Sequence, residues 1–172
     1  IIKGGAKYDY DKAIWFNQEH LKKITSSDIY KGIEKEIDNK KLVNENKIIS
    51  LISLAKERVR FKKEIVNECI NITYYAGDDL LENMKKINIT EDILETIKDF
   101  IKSFKELKNI NSFELKEIYF NQLKKRGIKI GDGMKSLRVM ATGKISGPDL
   151  FTILEIIRKD IGFKNLILTD DI

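Results

Sequence analysis

Apolar residues recur at three- and four-residue intervals along most of the chain, the period that places them on one face of an α-helix. Over 11–24 the stripe is Ala13, Ile14, Phe16, Leu21 and Ile24, with Trp15 alongside and Asp11 placed to cap the start. Ile29, Ile33 and Ile37 mark a second helix, which Ser26 and Ser27 can cap and Gly32 weakens. A polar run over 38–46 interrupts the pattern. A wide apolar face follows over 45–59, made by Ile48, Ile49, Leu51, Ile52, Leu54, Ala55 and Val59. The helix expected over 61–74 carries Ile65, Val66, Cys69, Ile70 and Ile72, with Gly77 as its C-terminal cap. Leu80, Leu81 and Met84 form a short apolar segment, and K-K-I-N-I-T then punctuates the chain. Thr90 caps a helix that buries Ile93, Ile97, Phe100, Ile101, Phe104 and Leu107, with acids at its start and lysines toward its end. Ser112 caps another, which stops at Gly127 with Lys124, Lys125 and Arg126 in its last turn. The pattern predicts an all-α fold of two small helical subdomains: a connector over 1–24, a first subdomain over 25–86 and a second over 87–172. The lead-in over 1–10 reads as irregular with a break at Gly4 and Gly5, and beyond Gly162 a short tail reads as helical or frayed.

One stretch departs from this rhythm. Five of the ten glycines lie from Gly127 to Gly147, and the single proline, Pro148, closes the run. Between Lys129 and Pro148 the charged residues are Lys129, Lys135, Arg138 and Lys144 against Asp132. The expectation is a glycine-rich loop with local positive charge. It abuts the N-terminus of a helix that Ser146 can cap and that carries Leu150, Ile153, Leu154 and Ile157. Such a junction suits an anion, including a phosphate backbone. The plainer reading is a turn followed by a helix start. A P-loop is excluded, because no G-x-x-x-x-G-K-[ST] occurs and no apolar strand precedes the glycines.

Composition narrows the field. The chain of 172 residues has 32 basic and 27 acidic side chains, a net charge of +5. That excess allows an RNA partner without requiring one. The lone Cys69 cannot form an internal disulfide and reads as a small buried apolar residue; with a single histidine, His20, there is no zinc set. His20 itself reads as structural or exposed. No apolar run approaches the ~20 residues a membrane helix needs, and the N-terminus lacks a signal-peptide pattern, so a cytoplasmic protein is expected. Asp78 and Asp79 read as a helix cap rather than a metal or catalytic pair. Trp15 reads as a packing anchor between segments rather than an RNA-stacking residue. Lys56, Arg58, Arg60, Lys62 and Lys63 read either as a solvated basic face with Glu57 and Glu64 or as an RNA-contacting edge.

Three segments carry a family resemblance. L-R-V-M-A-T-G-K-I-S-G-P-D-L-F, over 137–151, resembles the C-terminal signature of bacterial-type glutamyl-tRNA synthetases. Y-D-Y-D-K-A-I-W-F-N-Q-E-H-L-K, over 8–22, is similar to the segment just downstream of that family's catalytic half. L-A-K-E-R-V-R, over 54–60, resembles a helix between them. The three stand in the family's order and at about its spacing.

The resemblance implies a concrete role. These class I enzymes join glutamate to its tRNA with ATP and magnesium, and their C-terminal half is a helical anticodon-binding bundle of two subdomains. The chain lacks H-I-G-H-like and K-M-S-K-S-like motifs and begins at Ile1, so it is expected to be an excised C-terminal piece. It should hold no catalytic residue, metal or cofactor and have no activity alone. By the same resemblance, Arg138 contacts the first anticodon base, Gly147 and Pro148 approach the middle base, and Leu150 packs against a base. Arg58 or Arg60 reads the last base. That last position bears on whether the partner is the glutamate tRNA alone or the glutamine tRNA as well. Some relatives carry Thr at the Gly147 position, a hydrogen bond this chain lacks. Lys135, Lys144, Lys125 and Arg126 are the phosphate-contact candidates, which add affinity without sequence information. A monomer is expected. The rival readings are a helical protein-interaction scaffold and a non-specific RNA-binding module.

Overall fold

A computed structural model describes residues 9–38, 44–73, 77–107 and 109–157. The expectations for the lead-in, for the middle of the polar run, for residues 74–76 and for the tail beyond residue 157 lie outside the described residues. All regular structure among the described residues is helical. The order is α1 (Tyr10–Lys23), α2 (Ser26–Lys31), α3 (Glu34–Asp38), α4 (Glu45–Ala55), α5 (Lys62–Thr73), α6 (Gly77–Lys85), α7 (Glu91–Glu106), α8 (Ser112–Lys125), α9 (Ile130–Thr142) and α10 (Leu150–Ile157).

Side-chain oxygens set the starts, often one residue earlier than the pattern suggests. Asp9, not Asp11, caps α1 by accepting Lys12 N–H at 3.0 Å. Thr25, not the following serines, caps α2; its Oγ1 accepts from Asp28 N at 3.1 Å and donates to the Asp28 carboxylate at 2.7 Å. Asn111, not Ser112, caps α8 in a reciprocal capping box with Glu114. Thr90 caps α7 as expected. Gly32 ends α2, so the second predicted helix divides into α2 and α3 while Ile29, Ile33 and Ile37 stay buried on one side. Helix α4 stops at Ala55 rather than Val59, and Val59 is buried after the turn. Gly77 opens α6 instead of capping α5, which places Asp78 and Asp79 in the first turn of α6.

Buried side chains from α1–α5 and α7–α10 join in one apolar cluster. Helix α2 packs on α4, α4 on α5 and α10, α7 on α8, α8 on α9 and α10, and α6 on α9. The span 84–90 takes in the last two residues of α6 and the connection to α7. Phe100, Tyr119 and Phe151 meet at ring-centroid distances of 5.0–6.3 Å at the centre of α7, α8 and α10.

The largest departure from expectation is the glycine-rich run, most of which is helical. Gly131 and Gly133 lie inside α9. The reason at Gly133 is close approach: a Cβ there would lie 2.4 Å from Cδ2 of Leu123. The bare Cα lets α9 settle on α8, and Tyr119 Oη donates to Gly133 O at 2.8 Å. Burial of that phenol pushes its pKa above the ordinary value.

Trp15 is not the anchor it was expected to be. It is 55% exposed, and Phe16 beside it is also exposed, the two rings meeting edge-on. Leu21 is the buried residue of α1. Polar bonds hold the helix to the body: Lys56 Nζ donates to Lys22 O at 3.2 Å and Ile24 O at 3.1 Å, and Asn17 Nδ2 donates to Arg60 O. Leu107, placed on the buried face of α7 by pattern, lies exposed just past its end.

Candidate nucleic-acid interface

The loop over 143–149 joins α9 to α10 and is pinned at both ends, at Gly143 and Lys144 and again from Gly147 to Asp149. Gly143 caps α9 with φ at +70°, in the left-handed region that glycine enters most readily, and its N–H reaches Val139 O at 2.7 Å. Thr142 Oγ1 donates to Arg138 O at 2.8 Å and accepts Lys144 N–H at 3.3 Å. Asp149, not Ser146, caps α10, its carboxylate accepting the N–H and Oγ1–H of Thr152 at 2.8 Å each. Pro148 is buried just before that cap.

Side chains from four other places hold the loop. Asn83 of α6 donates to Gly143 O at 2.8 Å. Lys144 Nζ pairs with Glu68 Oε1 of α5 at 3.2 Å, both half-buried. Arg58, in the turn after α4, donates from Nη1 to Gly147 O. Arg138 of α9 donates from Nη1 to Pro148 O at 2.8 Å. Two arginines 80 residues apart in sequence therefore converge on one dipeptide. Burial pulls the Arg138 pKa below its ordinary value; Asp149 opposes that shift, the Arg58 charge adds to it and Glu68 opposes it. A guanidinium remains charged regardless. A Cβ on Gly147 would lie 3.1 Å from Arg138 Nη1, so a larger residue there would press on the guanidinium.

Between α5 and this loop lies a cavity of about 330 Å³. Its walls include Arg58, Val59, Glu64, Asn67, Glu68, Lys144, Ser146, Gly147 and Pro148.

The other predicted residues fall elsewhere. Arg60 does not line this cavity; its N–H is taken by Glu64 Oε2 at 2.7 Å and its carbonyl by Asn17. Leu150 has no exposed surface and supports the loop from beneath as part of the core. Lys135 lies exposed on α9 and Lys125 exposed at the end of α8. Arg126 is gripped by Glu95 Oε2 at 2.6 Å and Asp99 Oδ2 at 2.7 Å, and those bonds raise its pKa. His20 is exposed. Among the described residues no group of His, Cys, Asp or Glu could hold a metal ion, and no helix is long and apolar enough to cross a membrane.

Sequence reasoning missed Glu68, Asn67 and Asn83. A signal for the first was available: Glu64 and Glu68 stand four apart on α5 and so share a face. Nothing local links Asn83 to Gly143.

The family model for the anticodon binding domain matches residues 11–162. The glutamate–tRNA ligase of Amoebophilus asiaticus is 28% identical over 158 residues, covering 91% of this chain and 31% of that protein. The glutamate–tRNA ligase of Christiangramia forsetii is 28% identical over 171 residues, covering 96% and 33%. The chain thus spans about a third of the length of the curated relatives it matches. A solved glutamate tRNA ligase from Elizabethkingia meningosepticum, in complex with its amino acid, superposes with a TM-score of 0.75 at 21% identity. That match covers 95% of this chain and 32% of the solved one, and it shows a shared fold.

Proposed function

The chain belongs to the anticodon binding domain family, and from that membership we propose that it reads the anticodon of a glutamate tRNA as part of a glutamate–tRNA ligase. The rest of that enzyme would carry out ATP- and magnesium-dependent glutamylation, acting as a cytoplasmic monomer; the glutamine tRNA is the second candidate partner. The carrying observation is the convergence of Arg58 and Arg138 on the carbonyls of Gly147 and Pro148.

Specific RNA recognition favours unstacked loop nucleotides whose edges can be read by hydrogen bonds. A planar guanidinium with five N–H donors suits that task. One N–H of each arginine holds the loop, and the remaining donors serve base edges. Arg58 is the better candidate than Arg60 for the last anticodon base, because it lines the cavity beside Gly147 and Arg60 does not. Arg138 serves the first base, and the Gly147–Pro148 backbone approaches the middle one. Lys135 and Lys125 lie free for phosphates.

The test is binding of this chain to glutamate tRNA and to the same tRNA with its anticodon replaced, at two salt concentrations. Anticodon replacement should weaken binding about tenfold or more, and Arg138→Ala should erase the difference. Equal binding of both RNAs that merely fades with salt would leave only electrostatic attraction and defeat the proposal.

A further inference from the structure

We propose that Asn17 is a positioning residue for Arg58: by holding the carbonyl of Arg60 from α1, it fixes the turn over 56–61 and with it the placement of the Arg58 guanidinium. The inference rests on the anticodon-reading function proposed above and adds a residue of α1 on which that reading depends.

The first argument is how the turn divides its residues between two neighbours. It runs from the end of α4 at Ala55 to the start of α5 at Lys62. Lys56 faces α1, its Nζ donating to Lys22 O at 3.2 Å and Ile24 O at 3.1 Å. These carbonyls lie at the C-terminal end of α1, where a helix has acceptors to spare and favours a cation. The Arg60 carbonyl also faces α1 and accepts from Asn17 Nδ2. Charge runs across the same seam: the Lys22 pKa is raised first by its bond with Glu19, and the Glu57 charge in this turn adds to the rise. Val59 is buried in the core. Arg58 reaches instead for the loop over 143–149, donating to Gly147 O.

The second argument is leverage. Arg60 is gripped at both backbone groups, its N–H by Glu64 Oε2 of α5 at 2.7 Å and its carbonyl by Asn17 of α1. Arg58 stands two residues upstream. A guanidinium aimed at base edges works only within about 0.5 Å of its proper place, so freedom at the neighbouring backbone is felt at its tip. Asn17 is itself well seated, because it stands four residues before Leu21, the buried residue of α1, and so shares its face.

The third argument separates aim from stability. The Asn17–Arg60 bond is exposed, so water can replace it when the amide is removed, and the fold loses little. What is lost is direction.

The experiment uses this chain and anticodon stem-loop hairpins, one with the glutamate anticodon and three with a single anticodon base replaced. Arg58→Ala should lower affinity for the glutamate hairpin about tenfold or more and remove the preference at one anticodon position. Asn17→Ala should lower that affinity about threefold or more, the scale of coupling within one hydrogen-bond network. Its preference should fall at the same position only, with thermal unfolding nearly unchanged. The double variant should lose no more than Arg58→Ala alone. Should Asn17→Ala fail to fold, Lys56→Met cuts the other tie to α1 and must reduce the same preference. Single losses that multiply in the double variant overturn the inference. So does an Asn17→Ala protein that keeps full preference or loses it at all three positions alike, and so does an Arg58→Ala protein with every preference intact. In each of these cases the anticodon-reading function stands. If no hairpin binds better than one of unrelated loop sequence, that function falls and this inference with it.

Discussion

Arg126 and Arg138 are both arginines near the end of a helix, and the molecule uses them in opposite ways. Arg126 is clamped between Glu95 and Asp99 of α7, so two carboxylates face its charge and each takes a donor. Arg138, like Arg58, is held by a backbone carbonyl. A carbonyl orients a guanidinium without neutralising it. The first arrangement staples two helices, whereas the second aims a cation and leaves donors for a visitor. The lesson is that the partner, not the residue type, separates a structural arginine from a recognition arginine.

The contrast can be broken most directly by truncating each in turn. Arg138→Ala should abolish the tenfold or greater preference for the cognate anticodon, measured by titration against tRNA with native and replaced anticodon. Arg126→Ala should leave that ratio intact, although sequence grouped it with the RNA-contacting cations. Equal losses from both would collapse the distinction.

A substitution at the contact between α8 and α9 sharpens it next. Gly133→Ala drives a methyl into Leu123, where α9 rests on α8. Overpacking of this kind costs roughly 1–3 kcal/mol, to be read from the urea midpoint. Because α9 carries Arg138, the variant should also weaken anticodon preference, and trimming Leu123 to Ala alongside it should restore part of the lost preference.

Cys69, in the apolar core, offers a pH handle on stability. Burial pushes the Cys69 thiol up to about 12, against about 8.5 in an unfolded chain. The neutral thiol is favoured in the fold, so its contribution is fully present below pH of about 8.5 and is lost as pH rises toward 12. Stability should therefore decline above pH of about 8.5 in denaturant titrations, and Cys69→Ala should flatten that part of the curve.

The smallest effect should come from exposed cations. Lys135→Ala should weaken binding to cognate and replaced anticodons alike and lower the salt slope by about one. A change in anticodon preference on losing Lys135 would move it from the phosphate class to the readers.

Much of the helical frame was legible because burial leaves a periodic trace. Ile93, Ile97, Phe100, Ile101 and Phe104 are all buried, and Thr90 caps α7 where the pattern placed the start. Gly133 misled because glycine signals two things: freedom to turn and permission to approach. Only the position of Leu123, on another helix, decides between them. Arg58 illustrates a second limit. Its partner Gly147 is 89 residues away, and a basic cluster does not disclose which member folds inward. Trp15 failed for a related reason, since α1 is tied down by Lys56 and Asn17, polar side chains that hydrophobic patterning does not weigh.

That exposed indole has a practical consequence. Trp15 is the single tryptophan of the chain, and it is more than half exposed on a helix joined to the body by Leu21 and a few polar bonds. Its fluorescence will be red-shifted and open to acrylamide quenching in the native state, so it reports poorly on collapse of the interior. An emission scan during denaturation would follow the detachment of α1, while far-ultraviolet dichroism would follow the bundle. If the two traces separate, the optical record itself resolves which part lets go first.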